Sequence, residues 1–278
     1  MPMDNLSRLI EAALSEDLGP GDVTTDALVA RGLCGRGRIT AKEPLVLAGL
    51  DVARRVFLAV DPELALHSDF VDGDRLDGGE AVLSVEGRLG SMLRAERSAL
   101  NFLQRLSGIA TQTRRFADVL KGTPVRLVDT RKTTPGWRML EKYAVRMGGG
   151  GNHRMGLFDG VLIKDNHIAA CGGVAAAVRR ARNRISHLLK IEVEVSDLDG
   201  VREALAAGAD VIMLDNMDPA AVKDAVALID HRALVEVSGR VGASELAGLA
   251  ACGVDIISAG ALTHSARAVD LSMRIWKV

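Results

Sequence analysis

Aromatic residues are scarce in this sequence, and neither sign of charge dominates. Phe, Trp and Tyr make up 3% of the 278 residues, and the formal net charge is −1. Proteins that bind nucleic acid need a basic surface and rings on which bases stack, so we expect no nucleic-acid partner. The 29 glycines and the many alanines favour α/β packing, because small residues let helices lie close to a sheet.

Cysteines are few, and long apolar runs are lacking. Cys34, Cys171 and Cys252 lie far apart without paired spacing, so we expect reduced thiols and a cytoplasmic location rather than a disulfide framework or a zinc site. No apolar run reaches the roughly 18 residues of a membrane span. Acidic residues interrupt positions 1–18, unlike a signal peptide. The sequence therefore predicts no membrane association.

Two nucleotide-binding motifs are missing as well. No GxGxxG follows a predicted strand, and GxxxxGK[ST] does not occur. Dinucleotide oxidoreductases and P-loop NTPases are therefore poor candidates. No Ser/His/Asp or Cys/His arrangement for a covalent nucleophile can be picked out either.

The N-terminal part of the chain predicts a small α+β domain. Residues 16–25 form a turn-rich segment, and residues 35–88 alternate short apolar runs with turns around a helix at 51–60, which indicates an antiparallel sheet. Residues 91–120 form the longest helical pattern, with Gly108 as a candidate break and Gly122 as its end.

A repeating strand–helix pattern follows Pro124. Asp218 followed by Pro219 is a good helix start within it. The repeat argues for parallel strands covered by helices, either closed as a barrel or open as a doubly wound sheet. Six short β-branched and apolar runs carry it, at residues 125–128, 161–163, 191–195, 211–214, 234–237 and 255–258.

The carboxyl ends of these runs are mostly polar. In a barrel such ends converge on one face, where barrel enzymes keep their chemistry, whereas in an open sheet only those near a switch point meet. The polar ends therefore favour a barrel, and six strands make it an incomplete one. The six end residues are Asp129, Lys164, Glu194, Asp215, Ser238 and Gly260.

Two of these strand ends predict a metal site, and two predict a phosphate site. Glu194 and Asp215 follow neighbouring strands, and hard carboxylates of this kind can hold Mg²⁺ directly or through water. An ordinary pair of salt-bridge acids is the alternative. Ser238-Gly239 and residues 260–265 are small turns that open toward helices, as in the phosphate sites of barrel enzymes.

Basic residues are concentrated in residues 129–167, beside four glycines at 148–151. Backbone N–H groups are unshielded at glycines, so the segment suits a polyanionic small molecule. A surface loop with solvated charges is the alternative. The bases concerned are Arg131, Lys132, Arg138, Lys142, Arg146, His153 and Arg154.

These segments resemble the motif series of the quinolinate phosphoribosyltransferase family. The matching stretches are EDLGPGDVTT, AERSALNFLQRLSGIAT, DTRKTTPGWRMLEKYAV, GGGGNHRMGLFDGVLIKDNHI, IEVEV, VIMLDNM, SG and GALTHSA. The resemblance implies an α/β fold, with an N-terminal α+β sandwich-like domain at 1–107, joined by 266–278, and an incomplete α/β barrel of about six parallel strands at 108–265.

The resemblance also implies a reaction. Members of the family transfer phosphoribosyl from phosphoribosyl pyrophosphate to quinolinate with Mg²⁺, and they release pyrophosphate and CO₂. The product is nicotinate mononucleotide, in de novo NAD biosynthesis. A homodimer or an assembly of dimers is expected, in which the partner subunit completes each site.

Residue roles carry over from the same motifs. Quinolinate is expected to bind Arg131, His153, Arg154 and Lys164, with Arg97 reaching in from the partner subunit. Phosphoribosyl pyrophosphate is expected to bind Lys132, Glu194, Asp215, Ser238, Gly239, Gly260 and His264. Lys132, Lys164, Glu194 and Asp215 are the expected catalytic residues, and Glu194 and Asp215 the expected Mg²⁺ ligands. Members of the family usually have a second glycine after the one that matches Gly239, where this chain has Arg240.

Three other functions remain open from the sequence. A paralogous transferase would use another anionic acceptor on the same scaffold. A nicotinate phosphoribosyltransferase would bind a monocarboxylate, which needs fewer bases. A sensor would bind phosphate ligands without turnover, although it would not need the set formed by Lys132, Lys164, Glu194 and Asp215.

Overall fold

The structure is a computed structural model that describes residues 5–239 and 241–277. The elements of its first half are α1 (Asn5–Leu18), α2 (Val23–Leu28), β1 (Cys34–Ala41), β2 (Leu45–Val46), α3 (Leu50–Val60), β3 (Ala65–His67), β4 (Arg75–Leu76), β5 (Ala81–Arg88), α4 (Leu89–Val119), β6 (Arg126–Val128) and α5 (Arg138–Met147). Then follow β7 (Val161–Ile163), α6 (Asp165–Cys171), α7 (Val174–Arg182), β8 (Ile191–Val195), α8 (Leu198–Ala206), β9 (Val211–Asp215), α9 (Pro219–Ile229), β10 (Leu234–Ser238), α10 (Leu246–Ala251), β11 (Ile256–Ser258), α11 (Ala261–His264) and β12 (Leu271–Lys277).

The first of two compact units comprises the described residues up to 112, residues 147–149 and those from 266 onward. Its main sheet has the strand order β12-β1-β5-β3 and is antiparallel. Alternate residues of β1 are buried, as expected when one face of a strand covers a core. A Cβ atom at Gly35 would lie 2.3 Å from the backbone oxygen of Trp276 on the neighbouring strand, which explains the small residue there. The predicted α+β character is confirmed.

Helix α4 is continuous over 31 residues, so the predicted break at Gly108 is wrong. Gly108 serves a close approach instead, because a Cβ atom there would lie 2.0 Å from Arg267 O. The turn-rich reading of residues 16–25 is also wrong at both ends. α1 extends to Leu18, and α2 begins at Val23 after the Asp22 carboxylate, which accepts from Thr25 N at 3.0 Å. Among the described helices, none is long and apolar enough to cross a membrane.

The second unit comprises residues 113–146 and, among the described residues, 150–265. Its six strands run parallel in the order β6-β11-β10-β9-β8-β7, which confirms the predicted α/β unit of about six parallel strands. The predicted helix start before α9 is confirmed, since Asp218 accepts from Ala221 N at 2.8 Å and Pro219 is the first helical residue.

Candidate functional site

A cavity of about 670 Å³ lies at the carboxyl ends of the parallel strands of the second unit, and we call it the strand-end cavity. Gly260 lies between two lining residues, Ser258 and Ala261. Arg97 belongs to the first unit, where its side chain is exposed on α4. The remaining predicted site residues all line the cavity: Arg131, Lys132, His153, Arg154, Lys164, Glu194, Asp215, Ser238, Gly239 and His264.

Basic groups crowd one side of the strand-end cavity. Burial and the neighbouring positive charge of Arg131 lower the pKa of Arg154. Lys164, which follows β7, donates to the Glu194 carboxylate on β8. Like charges held this close favour a bound anion, and guanidinium groups can hold carboxylates through two parallel hydrogen bonds. This side of the cavity therefore suits an acceptor with more than one carboxylate.

Arg154 and His153 are held by their surroundings. Arg154 Nη1 donates to Gly160 O at 3.0 Å, and Arg154 N donates to His153 Nδ1 at 2.7 Å. His153 Nε2 lies 3.1 Å from Glu192 Oε2 and 3.5 Å from Glu236 Oε1. Both ring nitrogens of His153 are therefore engaged within this unit. The predicted contact between His153 and a substrate carboxylate stays a prediction.

A buried ion pair organises the segment that carries these residues. Lys142 and Asp129 are both 0% exposed, and the Lys142 ammonium donates to Asp129 Oδ1 and to His153 O. Asp129 also accepts from Asn152 Nδ2 at 2.6 Å and from His153 N at 2.9 Å. Burial raises the pKa of Asp129, and Lys142 opposes that shift. Lys142 is thus a structural residue, and its predicted place among bases that face an anion is wrong.

The glycines at 148–151 also have a structural role. Gly150 N donates to Val145 O at 3.0 Å, and Gly151 N donates to Leu127 O at 2.7 Å, so these two groups do not face a ligand. A Cβ atom at Gly150 would lie 2.9 Å from Val145 Cγ1 and from Thr113 Cγ2. Close packing, rather than the predicted anion binding, explains glycine at this position.

Arg138 and Arg146 likewise hold the chain in place. Arg138 Nε donates to Thr133 Oγ1 at 3.0 Å, and its Nη1 donates to Met155 O at 3.1 Å. Arg146 Nη1 donates to Asn152 Oδ1 at 2.6 Å. Neither arginine lines the strand-end cavity. Their predicted part in anion binding is not supported.

Two tight turns form the opposite side of the cavity. Gly239 has φ +134°, and a Cβ atom there would lie 2.7 Å from Asn216 Oδ1. At Gly260 a Cβ atom would lie 2.9 Å from Lys132 Cδ and 3.1 Å from His264 Nε2. Glycine is therefore needed at both turns, which leaves room for Lys132 and His264 beside them. Arg240 lies outside the described residues.

The acidic pair lies on β8 and β9, which stand between β10 and β7 in the sheet. Glu194 is the next-to-last residue of β8 and Asp215 the last residue of the neighbouring parallel strand β9, and both line the strand-end cavity. Asp215 Oδ2 accepts from Asn216 Nδ2 at 2.9 Å. Carboxylate oxygens are the donors that Mg²⁺ prefers, so this pair fits the expected metal.

Glu192 and Glu236 were missed by the sequence reasoning, although both contact the site. Each is buried on a strand and lies beneath His153. Their spacing in the sequence could have identified them, because Glu192 lies two residues before Glu194 and Glu236 two residues before Ser238. Residues two apart on a strand share a face. Glutamates at these positions therefore point to the same side as the predicted site residues.

Comparison with known proteins agrees with this geometry. Residues 22–107 match the N-terminal domain of quinolinate phosphoribosyl transferase, and residues 109–274 match its C-terminal domain. The chain belongs to the quinolinate phosphoribosyltransferase family. The family match spans both units and includes every site residue discussed above.

Individual family members are similar over nearly the whole chain. A Bacillus subtilis protein named probable nicotinate-nucleotide pyrophosphorylase [carboxylating] is 43% identical over 97% of this chain and 93% of its own length. A Nicotiana glauca protein, named quinolinate phosphoribosyltransferase [decarboxylating] 2, mitochondrial, is 40% identical over 99% of this chain and 83% of its own. The structure of the Francisella tularensis nicotinate-nucleotide pyrophosphorylase has a TM-score of 0.95 at 38% identity and covers 99% of this chain and 98% of its own.

Proposed function

We propose that this chain is a carboxylating nicotinate-nucleotide pyrophosphorylase. It transfers phosphoribosyl from phosphoribosyl pyrophosphate to quinolinate, and releases pyrophosphate and CO₂ to form nicotinate mononucleotide for NAD biosynthesis. The observation that carries the proposal is the strand-end cavity, where a cationic side, an acidic pair and two glycine turns meet. The names of its relatives support the same reaction.

The cationic side holds the acceptor. Quinolinate carries two adjacent carboxylates, which match the guanidinium groups of Arg131 and Arg154 and the ammonium of Lys164. The lowered pKa of Arg154 beside Arg131 supports this role, because a bound dianion relieves the repulsion between the two. Lys164 also contacts Glu194, so it connects the acceptor to the groups that face the ribose.

The other side holds phosphoribosyl pyrophosphate. Lys132 and His264 face its phosphates, and the turns at Ser238, Gly239 and Gly260 allow the chain to approach them closely. The hydrogen bond from Thr263 Oγ1 to Lys132 O, at 2.7 Å, supports this role because it fixes the backbone that carries Lys132. Positioning of this kind supplies much of the catalysis in transfers between two bound reactants.

The chemistry follows from the charges around the reacting carbon. The ring nitrogen of quinolinate forms a bond to the anomeric carbon as the bond to the pyrophosphate oxygen breaks. Glu194 and Asp215 stabilise the positive charge that develops on the ribose. The resulting pyridinium accepts the electron pair left when the C2 carboxylate departs as CO₂, and C2 then takes up a proton. No side chain acts as a nucleophile.

Magnesium would be held by Glu194 and Asp215, and it would neutralise charge on the departing pyrophosphate. We expect chelation with EDTA to reduce turnover by about a hundredfold or more, and added Mg²⁺ to restore it. Asp215→Asn should raise the Mg²⁺ concentration needed for half-maximal turnover, whereas Asp199→Asn, on the exposed part of α8, should not. Full activity in EDTA would remove magnesium from the proposal.

A dimer would complete each site, with Arg97 of the partner subunit as a further contact to quinolinate. Arg97 is exposed on α4, so its side chain is accessible to a partner subunit. We also propose a cytoplasmic location, which suits the free thiols of Cys34, Cys171 and Cys252.

Mixing two inactive variants tests the shared site. Arg97→Ala and Lys164→Ala should each be nearly inactive, whereas a refolded mixture should recover up to about a quarter of wild-type activity, because random pairing leaves one intact site in each hybrid dimer. A mixture of Arg131→Ala with Lys164→Ala is the control. Each of these changes damages the site of the subunit that carries it, so a hybrid dimer has no intact site. Equal, negligible recovery in both mixtures would contradict a shared site.

The reaction itself is tested by product formation from phosphoribosyl pyrophosphate and quinolinate, with nicotinate as the parallel acceptor. We expect nicotinate mononucleotide and an equal amount of CO₂ from quinolinate, and little turnover of nicotinate. Binding of phosphoribosyl pyrophosphate without turnover of either acceptor would favour a paralogue with another acceptor, or a sensor.

A further inference from the structure

Two buried glutamates lie beneath the strand-end cavity with an unsatisfied oxygen each. Glu236 is 2% exposed and Glu192 is 7% exposed. Within residues 5–239 and 241–277, neither Glu192 Oε1 nor Glu236 Oε1 has a hydrogen-bond partner. Two charged carboxylates in this state would be strongly unfavourable. A hydrogen atom on Glu236 would relieve this cost.

A single hydrogen atom shared between the two carboxyl groups would give both oxygens a partner. The polar atoms that Glu192, Glu236 and His153 offer lie within 4.8 Å of one another. Burial and then the negative charge of Glu192 raise the pKa of Glu236 to about 7, against the opposing effects of His153 and Ser258. A protonated Glu236 can donate to Glu192 Oε1. Glu192 Oε2 remains the acceptor for His153 Nε2.

The tautomer of His153 follows from its two neighbours. Arg154 N donates to Nδ1 at 2.7 Å, which requires a lone pair on that nitrogen. The ring hydrogen is then on Nε2, which donates to Glu192 Oε2 at 3.1 Å. Burial lowers the pKa of His153, while Glu192 and Glu236 raise it by more. A second hydrogen on Nδ1 would displace Arg154 N, however, so this geometry selects the neutral ring.

His153 and Arg154 also separate two cavities. Both residues line the strand-end cavity and a rear cavity of about 490 Å³, which Glu192 and Glu236 line as well. The rear cavity leaves space into which an unsupported His153 ring can move. A displacement of about 1 Å at a binding group can reduce turnover by a hundredfold. Support from the two glutamates therefore matters for the acceptor side of the site.

We infer that Glu236 and Glu192 are positioning residues that lock His153, and that His153 in turn fixes the backbone of Arg154. The guanidinium of Arg154 is then held in one conformation, in which it can bind a carboxylate of the acceptor. The inference deepens the proposed function and rests on the role of Arg154 in quinolinate binding. His153 itself lines the strand-end cavity, and its predicted contact with a substrate carboxylate is compatible with this supporting role.

Two uncharged substitutions of Glu236 test whether this position needs a hydrogen-bond donor. Glutamine imitates the protonated carboxyl and donates to Glu192 Oε1, whereas leucine fills the space without donating. We expect the KM for quinolinate to stay within about threefold of wild type in Glu236→Gln and to rise at least about tenfold in Glu236→Leu. The KM for phosphoribosyl pyrophosphate should change little in either variant.

A matched control and a spectrum complete the experiment. Asp255 accepts from Val235 N, at the start of the strand that carries Glu236, at 2.8 Å. Asp255→Ala removes this acceptor and should lower Tm without a selective rise in the KM for quinolinate. Nitrogen-15 NMR spectra of histidine-labelled protein should show His153 with its hydrogen on Nε2 in wild type and in Glu236→Gln, and should lose that signature in Glu236→Leu.

Several outcomes would overturn the inference. Equal damage from Glu236→Gln and Glu236→Leu would mean that Glu236 acts as an anion. A metal ion bound to wild-type protein and released by both variants would replace the shared hydrogen with a cation site. Unchanged kinetics in Glu236→Leu would reduce the pair to packing. The spectra do not depend on turnover. If the protein did not turn over quinolinate but His153 had the expected tautomer, the proposed reaction would be refuted and the positioning of His153 would still be supported.

Discussion

Replacing Lys142 by methionine is expected to lower the free energy of unfolding by about 3–5 kcal/mol, because a buried carboxylate loses its counter-ion. Lys142 and Asp129 are both 0% exposed. The Lys142 ammonium also donates to His153 O at 2.9 Å, so a carbonyl loses its donor as well. Methionine keeps most of the apolar stem and removes only the charge and the donors. Urea unfolding followed by circular dichroism measures the change.

An exposed ion pair provides the control. Arg202 and Asp199 form an ion pair on α8, with 58% and 88% of their side chains exposed. Arg202→Met should change the free energy of unfolding by no more than about 0.5 kcal/mol. A loss below about 1 kcal/mol in Lys142→Met would show that Asp129 does not depend on its partner.

The loss in Lys142→Met is expected to shrink as the pH falls. Burial already raises the pKa of Asp129 in the wild-type protein, and Lys142 opposes it. Without Lys142 the folded pKa rises further above the unfolded value. Such a group contributes stability below its unfolded pKa and loses that contribution as the pH rises through its folded pKa. The deficit should therefore be smaller at about pH 5 than at about pH 7, and an equal deficit would contradict this cause.

Arg131→Ala is expected to have the largest effect on activity, with a loss of about 2–5 kcal/mol in transition-state binding, measured as kcat/KM for quinolinate. Arg131 lines the strand-end cavity, and its backbone is fixed because Thr133 N donates to Arg131 O at 3.0 Å. Its charge lies close enough to lower the pKa of Arg154. Removing one of two guanidinium groups leaves a carboxylate of the acceptor poorly neutralised.

Arg131→Ala and Lys142→Met are expected to differ in their effect on the free energy of unfolding. Arg131 is exposed and adds to the positive charge near Arg154, so Arg131→Ala should leave the free energy of unfolding unchanged or slightly higher. Arg180→Ala, on the exposed face of α7, is the control and should preserve both activity and stability. Turnover near wild type in Arg131→Ala would remove this residue from the proposed site.

Local patterns predicted the second unit well. Runs of β-branched residues gave all six parallel strands to within two residues at each end, because a buried strand needs apolar residues on both faces. The helix start at Asp218 and Pro219 was predicted from two adjacent side chains. The same local rule failed at Gly108, where the backbone of residue 267 approaches α4. A contact so distant along the chain leaves no local pattern.

The roles of the basic residues were harder to predict from the sequence than the positions of the strands. Arg131, Lys132 and Arg154 line the strand-end cavity, as the basic segment suggested. Lys142 belongs to the same segment, yet it is buried against Asp129. A lysine that binds a ligand and a lysine that pairs with a buried acid look alike in a sequence, because the side of α5 that faces inward depends on packing.

The sequence by itself determined the family, the order of strands and helices, and the strand-end positions of Lys164, Glu194, Asp215 and Ser238, because these depend on local periodicity and on motifs. Only the tertiary structure decided which polar groups work together. It paired Lys142 with Asp129, and it placed Glu192 and Glu236 from two different strands beneath His153. The physical reason is burial, since the charge and hydrogen-bonding state of a buried group depend on neighbours that are far away in the chain.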